Sequence, residues 1–306
     1  LCLCGIVGNL LNIVILTHHG FAKTTNILLT SLSVSDLVFS FTQSMGRLWS
    51  VVDRFDRNLA STINSVYVVY IRAWNQAALM VTIYQVMVIA LERLLAVCVP
   101  LQVSRIVTPL RMKSLIASVY LVLTALVVPC HLMYSIEWVS HRNNVTVAIF
   151  HPTQFYIDNS VAINFYVAAV LSNVRSSVPL TTVSVCSLVI LIRLSTSSKH
   201  LDRMSSSSRH VSRRIREVKS VRMLLAVCFV PLVFVLLPTT TFEAFISFSP
   251  ETDQLSCRFK IVVMYVSNLL YQVSSSSNFV IYVTMNAKFA KTYRELFRWN
   301  RKLSKP

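Results

Sequence analysis

Three ionisable residues lie inside or at the end of apolar segments, where a charge needs a partner. Asp36 falls in the middle of the apolar run 26–49, and the adjacent pair Glu92-Arg93 falls at one end of the apolar stretch 64–97. An unpaired charge at the centre of a bilayer costs at least about 2.5 kcal/mol, so each of these groups must bind a counter-charge, a cation or polar neighbours. The predicted chemistry is reversible ion pairing and cation binding. For Asp36, a static polar contact between helices is the alternative.

The composition indicates that these residues belong to a membrane protein. Hydrophobic residues make up 54% and charged residues 13% of the chain, and the mean hydropathy of +0.61 is too high for an ordinary soluble domain. A helix needs about 20 apolar residues to cross a bilayer. Such runs lie at residues 1–17, 26–49, 64–97, 112–134, 165–194, 222–246 and 259–282. The sequence therefore predicts an all-α membrane protein in which residues 1–306 form a single domain, a seven-transmembrane helix bundle.

The beginning of the chain indicates that part of the protein precedes it. The first apolar run has only eight residues ahead of Asn9, and the chain begins without Met or a signal peptide. We expect this sequence to lack the extracellular tail and the top of the first helix.

The distribution of charge predicts the orientation. The formal net charge is +17, and most of the 29 basic residues, with few of the 12 acidic ones, fall on one side of the predicted bundle. Basic loops face the cytoplasm, which puts the N-terminus outside the cell in a multi-pass plasma-membrane protein. The basic face then meets the anionic lipid of the bilayer and a cytosolic partner. The basic loops lack interleaved aromatic residues, which argues against a nucleic-acid partner.

Several segments outside the apolar cores carry weaker signals. In the long external loop 135–164, Asn144-Val145-Thr146 is an acceptor triplet for N-glycosylation. Residues 286–299 place Phe289, Tyr293 and other apolar residues at helical spacing between basic ones, which predicts a short amphipathic helix on the inner leaflet. The seven cysteines show no CxxC spacing, and most lie in apolar runs, where a thiol usually packs as a small apolar group.

Five motifs follow one another at spacings that suit successive helices. They are Gly8-Asn9, Leu32-Ser33-Val34-Ser35-Asp36-Leu37, Glu92-Arg93, Pro179 and Asn278-Phe279-Val280-Ile281-Tyr282. In this order they resemble the rhodopsin-like (class A) G-protein-coupled receptors, and the resemblance covers nearly the whole chain. Phe279, where the family usually has proline, resembles invertebrate peptide-receptor-like members.

The resemblance implies a switch at the cytoplasmic end of the bundle. Arg93 would pair with Glu92 at rest and be released to the C-terminal helix of a heterotrimeric G protein on activation. Glu217, at the base of the sixth helix, would supply a second restraint. Asn278 and Tyr282 belong to the same switch, in which Tyr282 would swing inward toward Arg93.

The sixth helix contains two prolines that suit the family's kink. Pro238 lies about 24 Å above Arg222 at 1.5 Å per residue, where the floor of a ligand cavity is expected, and Pro231 lies only about 13 Å above it. We therefore assign the kink to Pro238. On this register, Leu236 and Leu232 replace the aromatic residues usual in the family.

The resemblance also implies a sodium ion at Asp36. In the family, this carboxylate and its polar neighbours surround the ion, and its occupancy is coupled to conformation. The corresponding residues here are Asn9, Asp36, Thr82, Ser274, Ser275 and Asn278. Apart from this allosteric ion, no cofactor is expected.

The outer halves of the helices predict a polar ligand pocket. Asn75 stands where amine receptors carry aspartate, and Gln272 stands where opsins carry the retinal-linking lysine, so neither ligand is expected. The predicted pocket residues are Arg72, Asn75, Gln76, Arg175, Glu243, Asn268 and Gln272. Glu243 would meet a ligand cation, and Arg175 or Arg72 would meet a carboxylate or amide. An internal Arg175–Glu243 ion pair is the alternative.

The disulfide that usually holds the external loop to the third helix is absent from this sequence. Val68 stands at the expected cysteine position, and residues 135–164 contain no cysteine. We expect a looser external lid, for which Cys257 is a candidate anchor to the N-terminal tail.

The sequence thus predicts a receptor that transmits an extracellular peptide or other polar ligand to a heterotrimeric G protein and is not itself an enzyme. Two alternatives stay open. A receptor-like binding protein that does not activate G protein is favoured by Leu94, Leu232, Leu236 and the missing disulfide. A channel or transporter would need a continuous polar path, whereas the intramembrane charges cluster in an outer bowl and at one inner hinge.

Overall fold

The computed structural model describes residues 1–140, 146–201, 225–240 and 254–303, and the side chains of 1–140, 146–193, 225–240 and 262–296. The predicted residues Asn144, Glu217 and Glu243 lie outside the described residues.

Helices lie at all seven predicted runs, the sixth of which is described only over residues 225–240. The helices are α1 (Cys2–His18), α2 (Thr24–Val52), α3 (Arg57–Val66), α4 (Arg72–Cys98), α5 (Pro100–Ile106), α6 (Pro109–His131), α7 (Gln154–Asp158), α8 (Ser160–Phe165), α9 (Ser172–Arg175), α10 (Ser177–Leu201), α11 (Leu225–Thr240), α12 (Gln254–Met285) and α13 (Ala287–Leu303). Strands β1 (Tyr134–Ser140) and β2 (Thr146–Pro152) form an antiparallel hairpin between α6 and α7.

Several neighbouring helices form continuous rods. A π-helical turn, Tyr67–Ile71, joins α3 to α4, and a second, Tyr166–Leu171, joins α8 to α9. Among the described residues, three stretches are long and apolar enough to cross a membrane, namely Arg57–Cys98, Pro109–His131 and Ser160–Arg193. The helices α1 and α11 are apolar but shorter.

The helix α4 lies at the centre of the fold. It contacts α2, α6 and α10, while α1 contacts α2 and α12. Ile83 and Ile89 of α4 are buried in one core with Leu32 of α2, Leu16 of α1 and Tyr282 of α12. The polar residues discussed below therefore lie on helices that pack against one another.

Local sequence explains where several helices begin. The Asp56 carboxylate accepts hydrogen bonds from the backbone N–H groups of Asn58 and Leu59, at 2.8 and 3.1 Å, and so caps α3. In α6, Thr108 is the cap and Pro109 occupies the first turn, where its missing N–H costs nothing. The Asn286 side chain caps α13 in the same way as Asp56 caps α3.

Two glycines permit close approach between helices. A Cβ atom at Gly8 of α1 would lie 3.2 Å from Cβ of Phe279 in α12. A Cβ atom at Gly46 of α2 would overlap the ring of Tyr67, which begins the π-helical turn above α4. A side chain at either position would require the neighbouring residue to shift.

Pro238 affects the geometry of α11, whereas α12 has Phe279 where the resembled family usually has proline. In α11, a π-helical turn covers Leu232–Leu236, directly before Leu237 and Pro238. Proline has no N–H to donate, and its ring crowds the carbonyl four residues earlier, which favours such a widened turn. In α12, Phe279 keeps its N–H, and the helix continues unbroken through it.

The external segment differs from the loop that the sequence predicted. The helix α6 ends at His131, three residues before the predicted end at 134, and Tyr134 begins β1 instead. All seven residues of β1 pair with β2, from Tyr134 opposite Pro152 to Ser140 opposite Thr146. The hairpin packs against α3, an arrangement that the sequence did not predict, and the looser lid expected from the missing disulfide stays a prediction.

Candidate functional site

An ion pair closes the end of α4 that the charge pattern predicts to be cytoplasmic. Arg93 Nε lies 2.6 Å from Glu92 Oε2, and the two side chains are only 13% and 8% exposed. Arg93 Nη2 also donates a hydrogen bond to Glu92 Oε1 at 3.0 Å. The two residues predicted to form the switch are therefore paired in this structure.

Two threonines at the start of α2 complete this ion pair. Thr24 Oγ1 donates to Glu92 Oε1 at 3.4 Å, and Arg93 Nη2 donates to Thr25 Oγ1. The two side chains thus neutralise each other's charge and also join α4 to α2. Sequence reasoning missed both threonines, although their place just ahead of the apolar run at 26 could have indicated them.

A second polar cluster surrounds the Asp36 carboxylate, which is fully buried. Thr82 Oγ1 donates to Asp36 Oδ1 at 3.0 Å, and Asn278 Nδ2 donates to Asp36 Oδ2 at 2.6 Å. Asn9 Nδ2 lies 3.3 Å from the backbone oxygen of Ser275 and 3.4 Å from its hydroxyl. The structure therefore brings four helices, α1, α2, α4 and α12, together at residues predicted from the sequence. Ser274 is buried one residue before Ser275.

The cluster extends outward through two further residues. Ser40 Oγ lies 3.2 Å from Ser275 Oγ, and Gln272 Nε2 donates to Ser40 Oγ at 2.9 Å. Gln272 was predicted to line the ligand pocket, but its amide group joins this buried cluster. Ser40 was not predicted from the sequence.

Two acceptors in this cluster stay without a donor. Within the described part of the chain, Asn278 Oδ1 and Gln272 Oε1 are buried and have no hydrogen-bond partner. Buried acceptors without a donor are uncommon and call for an explanation such as a bound ion or water. The Asn278 amide contacts the Asp36 carboxylate through its nitrogen, so its unpartnered oxygen lies near that carboxylate. Carboxylate and amide oxygens are ligands that a hard cation such as sodium prefers.

Aromatic rings connect α12 to α13 near the predicted switch. The Tyr282 ring lies 5.7 Å from that of Phe289, and Phe279 lies 5.5 Å from Tyr293 and 6.3 Å from Phe289. Phe289 is fully buried, so the aromatic face of α13 packs on the bundle. Tyr282 Oη is buried and has no hydrogen-bond partner among the described residues.

The ends of the helices opposite the Glu92–Arg93 pair hold the other predicted pocket residues that the structure describes. Arg175 Nη1 donates to Gln76 Oε1 at 3.2 Å, which brings α9 to α4. Asn75 is buried and donates to Thr42 Oγ1 at 2.9 Å, so its amide faces α2. Arg72 is exposed and Asn268 is half-buried.

Other features on the outer half were not predicted from the sequence. The Arg47 guanidinium lies 4.7 Å above the Tyr265 ring and connects α2 to α12. An apolar cleft of about 210 Å³ opens between α2, α4 and α6, lined by Ser35, Val38, Trp74, Ala77, Ala78, Val81, Tyr120 and Thr124. This cleft contains none of the predicted pocket residues.

Comparison with known proteins identifies the family to which the chain belongs. The family described as 7 transmembrane receptor (rhodopsin family) matches residues 8–282. The chain is 24% identical to the allatostatin-A receptor of Bombyx mori, over 95% of this chain and 76% of that receptor. It is 26% identical to the FMRFamide receptor of Drosophila melanogaster, over 98% of this chain and 53% of that receptor, so it spans about half the length of this relative. Because the family match includes all five motifs and most of the chain, the protein belongs to the rhodopsin family of seven-transmembrane receptors.

Proposed function

We propose that this protein is a plasma-membrane receptor that transmits the binding of an extracellular peptide to a heterotrimeric G protein. The seven apolar segments cross the bilayer as one bundle, with the N-terminus outside and Arg93 at the cytoplasmic mouth. The chain carries out no reaction itself, because nucleotide exchange and GTP hydrolysis belong to the G protein.

The observation that carries this proposal is the buried Glu92–Arg93 pair. Burying an ion pair rarely stabilises a protein more than apolar residues of similar size would. The pair is therefore better explained as a restraint that can be released. At rest it holds the end of α4 against Thr24 and Thr25 of α2, and its release frees the Arg93 guanidinium for the C-terminal helix of the G protein.

The path from ligand to Arg93 runs through α11 and α12. The widened turn before Pro238 gives α11 a point at which to bend, and ligand binding shifts the population toward an outward-tilted form. An unpaired buried hydroxyl costs about 1–3 kcal/mol. Tyr282 Oη bears this cost at rest, which favours its movement toward a partner near Arg93 in the active form.

A peptide ligand is supported by the two relatives, which are named as receptors for allatostatin-A and FMRFamide. The outer ends of the helices offer both charge and amide groups. Arg72 is exposed there, and Arg175 contacts Gln76, so these groups can meet a ligand carboxylate or backbone carbonyl. Asn268 and the predicted acid Glu243 would complete the pocket.

A sodium ion at Asp36 would act as an allosteric ligand. Asp36, Thr82, Ser275 and Asn278 would hold it, with Ser274 and Asn9 adjacent. When bound, the ion supplies a positive charge that favours the ionised Asp36 carboxylate and the packing of α2 against α12. The unpartnered oxygen of Asn278 supports this assignment.

We assign α13 to the surface of the inner leaflet. Its aromatic face contacts α12 through Phe289 and Tyr293, and its basic residues would meet anionic lipid. The Asn144 triplet would be a glycosylation site on the external side.

The test is nucleotide exchange by purified G proteins with the chain in lipid nanodiscs, with a panel of amidated neuropeptides as probes. Arg93→Ala should keep peptide binding and lose ligand-evoked exchange. Arg54→Ala, an exposed arginine beyond the opposite end of α2, is the matched control and should signal normally. Normal exchange by Arg93→Ala would contradict the coupling role. Peptide binding by the wild type without exchange on any G protein would establish the binding-only alternative.

A further inference from the structure

The edge of strand β2 carries a backbone N–H group that the hairpin itself does not use. Ala148 N donates instead to Thr62 Oγ1 of α3, at 3.2 Å. The Thr62 hydroxyl donates its own proton to the backbone oxygen of Asn58, at 3.0 Å. A lone pair of the Thr62 oxygen is therefore free to accept from the Ala148 N–H, and the bond to Asn58 fixes the orientation of the hydroxyl.

Burial reinforces this hydrogen bond. Ala148 is 0% exposed and Val147 6%. Other residues of β2, such as Ile149 and Phe150, are more than a third exposed. The residue that donates to Thr62 therefore lies in the part of the strand that is removed from water.

Both partners in this contact are held rigidly. The Asp56 cap fixes the beginning of α3, and α3 continues through the π-helical turn into α4. On the other side, Thr153 N donates to the backbone oxygen of Met133 at 3.0 Å and closes the base of the hairpin. Ser135 Oγ lies 3.0 Å from His151 Nε2 across the two strands.

We infer that the Thr62–Ala148 hydrogen bond attaches the external hairpin to α3 without a covalent bond. Through α3 it attaches the hairpin to α4, the helix that carries Arg93. Neither residues 133–165 nor residues 57–71 contain a cysteine, so no disulfide can join these two segments. Thr62 is thus a positioning residue for the lid of the ligand pocket. This role of the lid rests on the proposed function, whereas the fastening itself does not.

Hydrogen–deuterium exchange on the full chain in nanodiscs tests the fastening without a ligand or a G protein. Thr62→Val keeps the shape of the side chain and removes the acceptor, so the amide of Ala148 should exchange about tenfold faster. Thr62→Ser restores the acceptor and should restore protection. Ser61→Ala, at the exposed neighbouring position, should change nothing. In the wild type, dithiothreitol should leave the exchange of residues 146–152 unchanged.

Unchanged protection in Thr62→Val, or loss of wild-type protection in dithiothreitol, would overturn the inference. Should Thr62→Val fail to fold, Thr62→Ala, which also removes the acceptor, provides the test. The amide of Ala148 should again exchange faster than in the wild type, and unchanged protection would contradict the contact.

A second measurement tests the effect on the pocket. For any panel peptide that binds the wild type, Thr62→Val should raise the dissociation rate by roughly threefold or more, because interface changes act mainly on dissociation. An unchanged dissociation rate beside faster exchange would refute the lid role and leave the fastening intact. Failure of every peptide to bind would instead count against the proposed function.

Discussion

Glu92→Gln isolates the charge of the ion pair at the cytoplasmic mouth. Glutamine is nearly isosteric with glutamate and keeps an oxygen that can accept from Arg93 Nη2 and from Thr24, which lie 3.0 and 3.4 Å from Glu92 Oε1. The substitution removes the charge that faces Arg93 Nε at 2.6 Å. It therefore weakens the restraint with little change in packing.

The size of the effect follows from the kind of hydrogen bond that is changed. Bonds to charged groups contribute about 1.5–3 kcal/mol, and neutral bonds about 0.5–1.5 kcal/mol, so the resting form should lose roughly 1–1.5 kcal/mol relative to the active form. A tenfold change in an equilibrium constant corresponds to about 1.4 kcal/mol. An active fraction of about 1% at rest would then rise to roughly 5–10%.

Ligand-free nucleotide exchange by a G protein measures this fraction. Glu92→Gln should raise basal exchange about five- to tenfold over the wild type at equal receptor density. Glu137→Gln is the control, because Glu137 is exposed and lies 4.0 Å from His151 on the external hairpin. If basal exchange of Glu92→Gln equals or falls below that of the wild type, while the variant folds and binds G protein, the restraint is not what the structure indicates.

Three further outcomes are expected. Asp36→Asn removes the charge that would hold a cation, so the melting temperature in sodium chloride and in choline chloride should become equal, and a retained sodium effect would exclude this site. Gly8→Ala puts a Cβ atom 3.2 Å from Cβ of Phe279; the crowding should exceed the roughly 1 kcal/mol that alanine gains over glycine in a helix, so the melting temperature should fall, and unchanged or higher melting would contradict the close approach. Burial, with Lys288 and His18 nearby, lowers the pKa of His19, whose ring contacts Thr292 of α13. The folded state therefore favours the neutral His19 ring. The stability that this ring contributes is fully present above pH 6.5, and it is lost as the pH falls through the lowered pKa of the folded state. Proteolytic release of α13 should increase on acidification, and His19→Gln should abolish that increase.

The lengths of the apolar runs were sufficient to locate the long helices. The structure has α1 at Cys2–His18 and α2 at Thr24–Val52, within a few residues of the predicted runs 1–17 and 26–49. A membrane helix needs a minimum apolar length, so its existence can be read from composition. Its ends depend on caps such as Thr108 and on polar residues outside the apolar run, which the run itself does not define.

The candidate site was predictable where a charged group would be too costly to bury without polar partners. Asp36 cannot stay alone in an apolar helix, and Thr82 and Asn278 indeed contact it. Thr24 and Ser40 were missed because threonine and serine occur both at the surface and in the interior of proteins, so neither position stands out in the sequence.

The hairpin is the clearest failure of the sequence reasoning. Residues 135–164 were treated as a loop because they connect two apolar runs. The contact that does fix them depends on the distance between Thr62 and Ala148, which are 86 positions apart. Such a long-range contact between small residues has no local sequence signal.

The topology of the chain is the central claim, and Cys98 offers the most direct test of it. This cysteine is exposed at the end of α4, five positions beyond Arg93. In a variant whose other cysteines are replaced by alanine or serine, a membrane-impermeant maleimide should not label Cys98 on intact cells and should label it after permeabilisation. Ser61→Cys in a cysteine-free background, at the opposite end of the same rod, should be labelled on intact cells. Labelling of Cys98 from outside intact cells would put Arg93 on the wrong side of the membrane and contradict the receptor account.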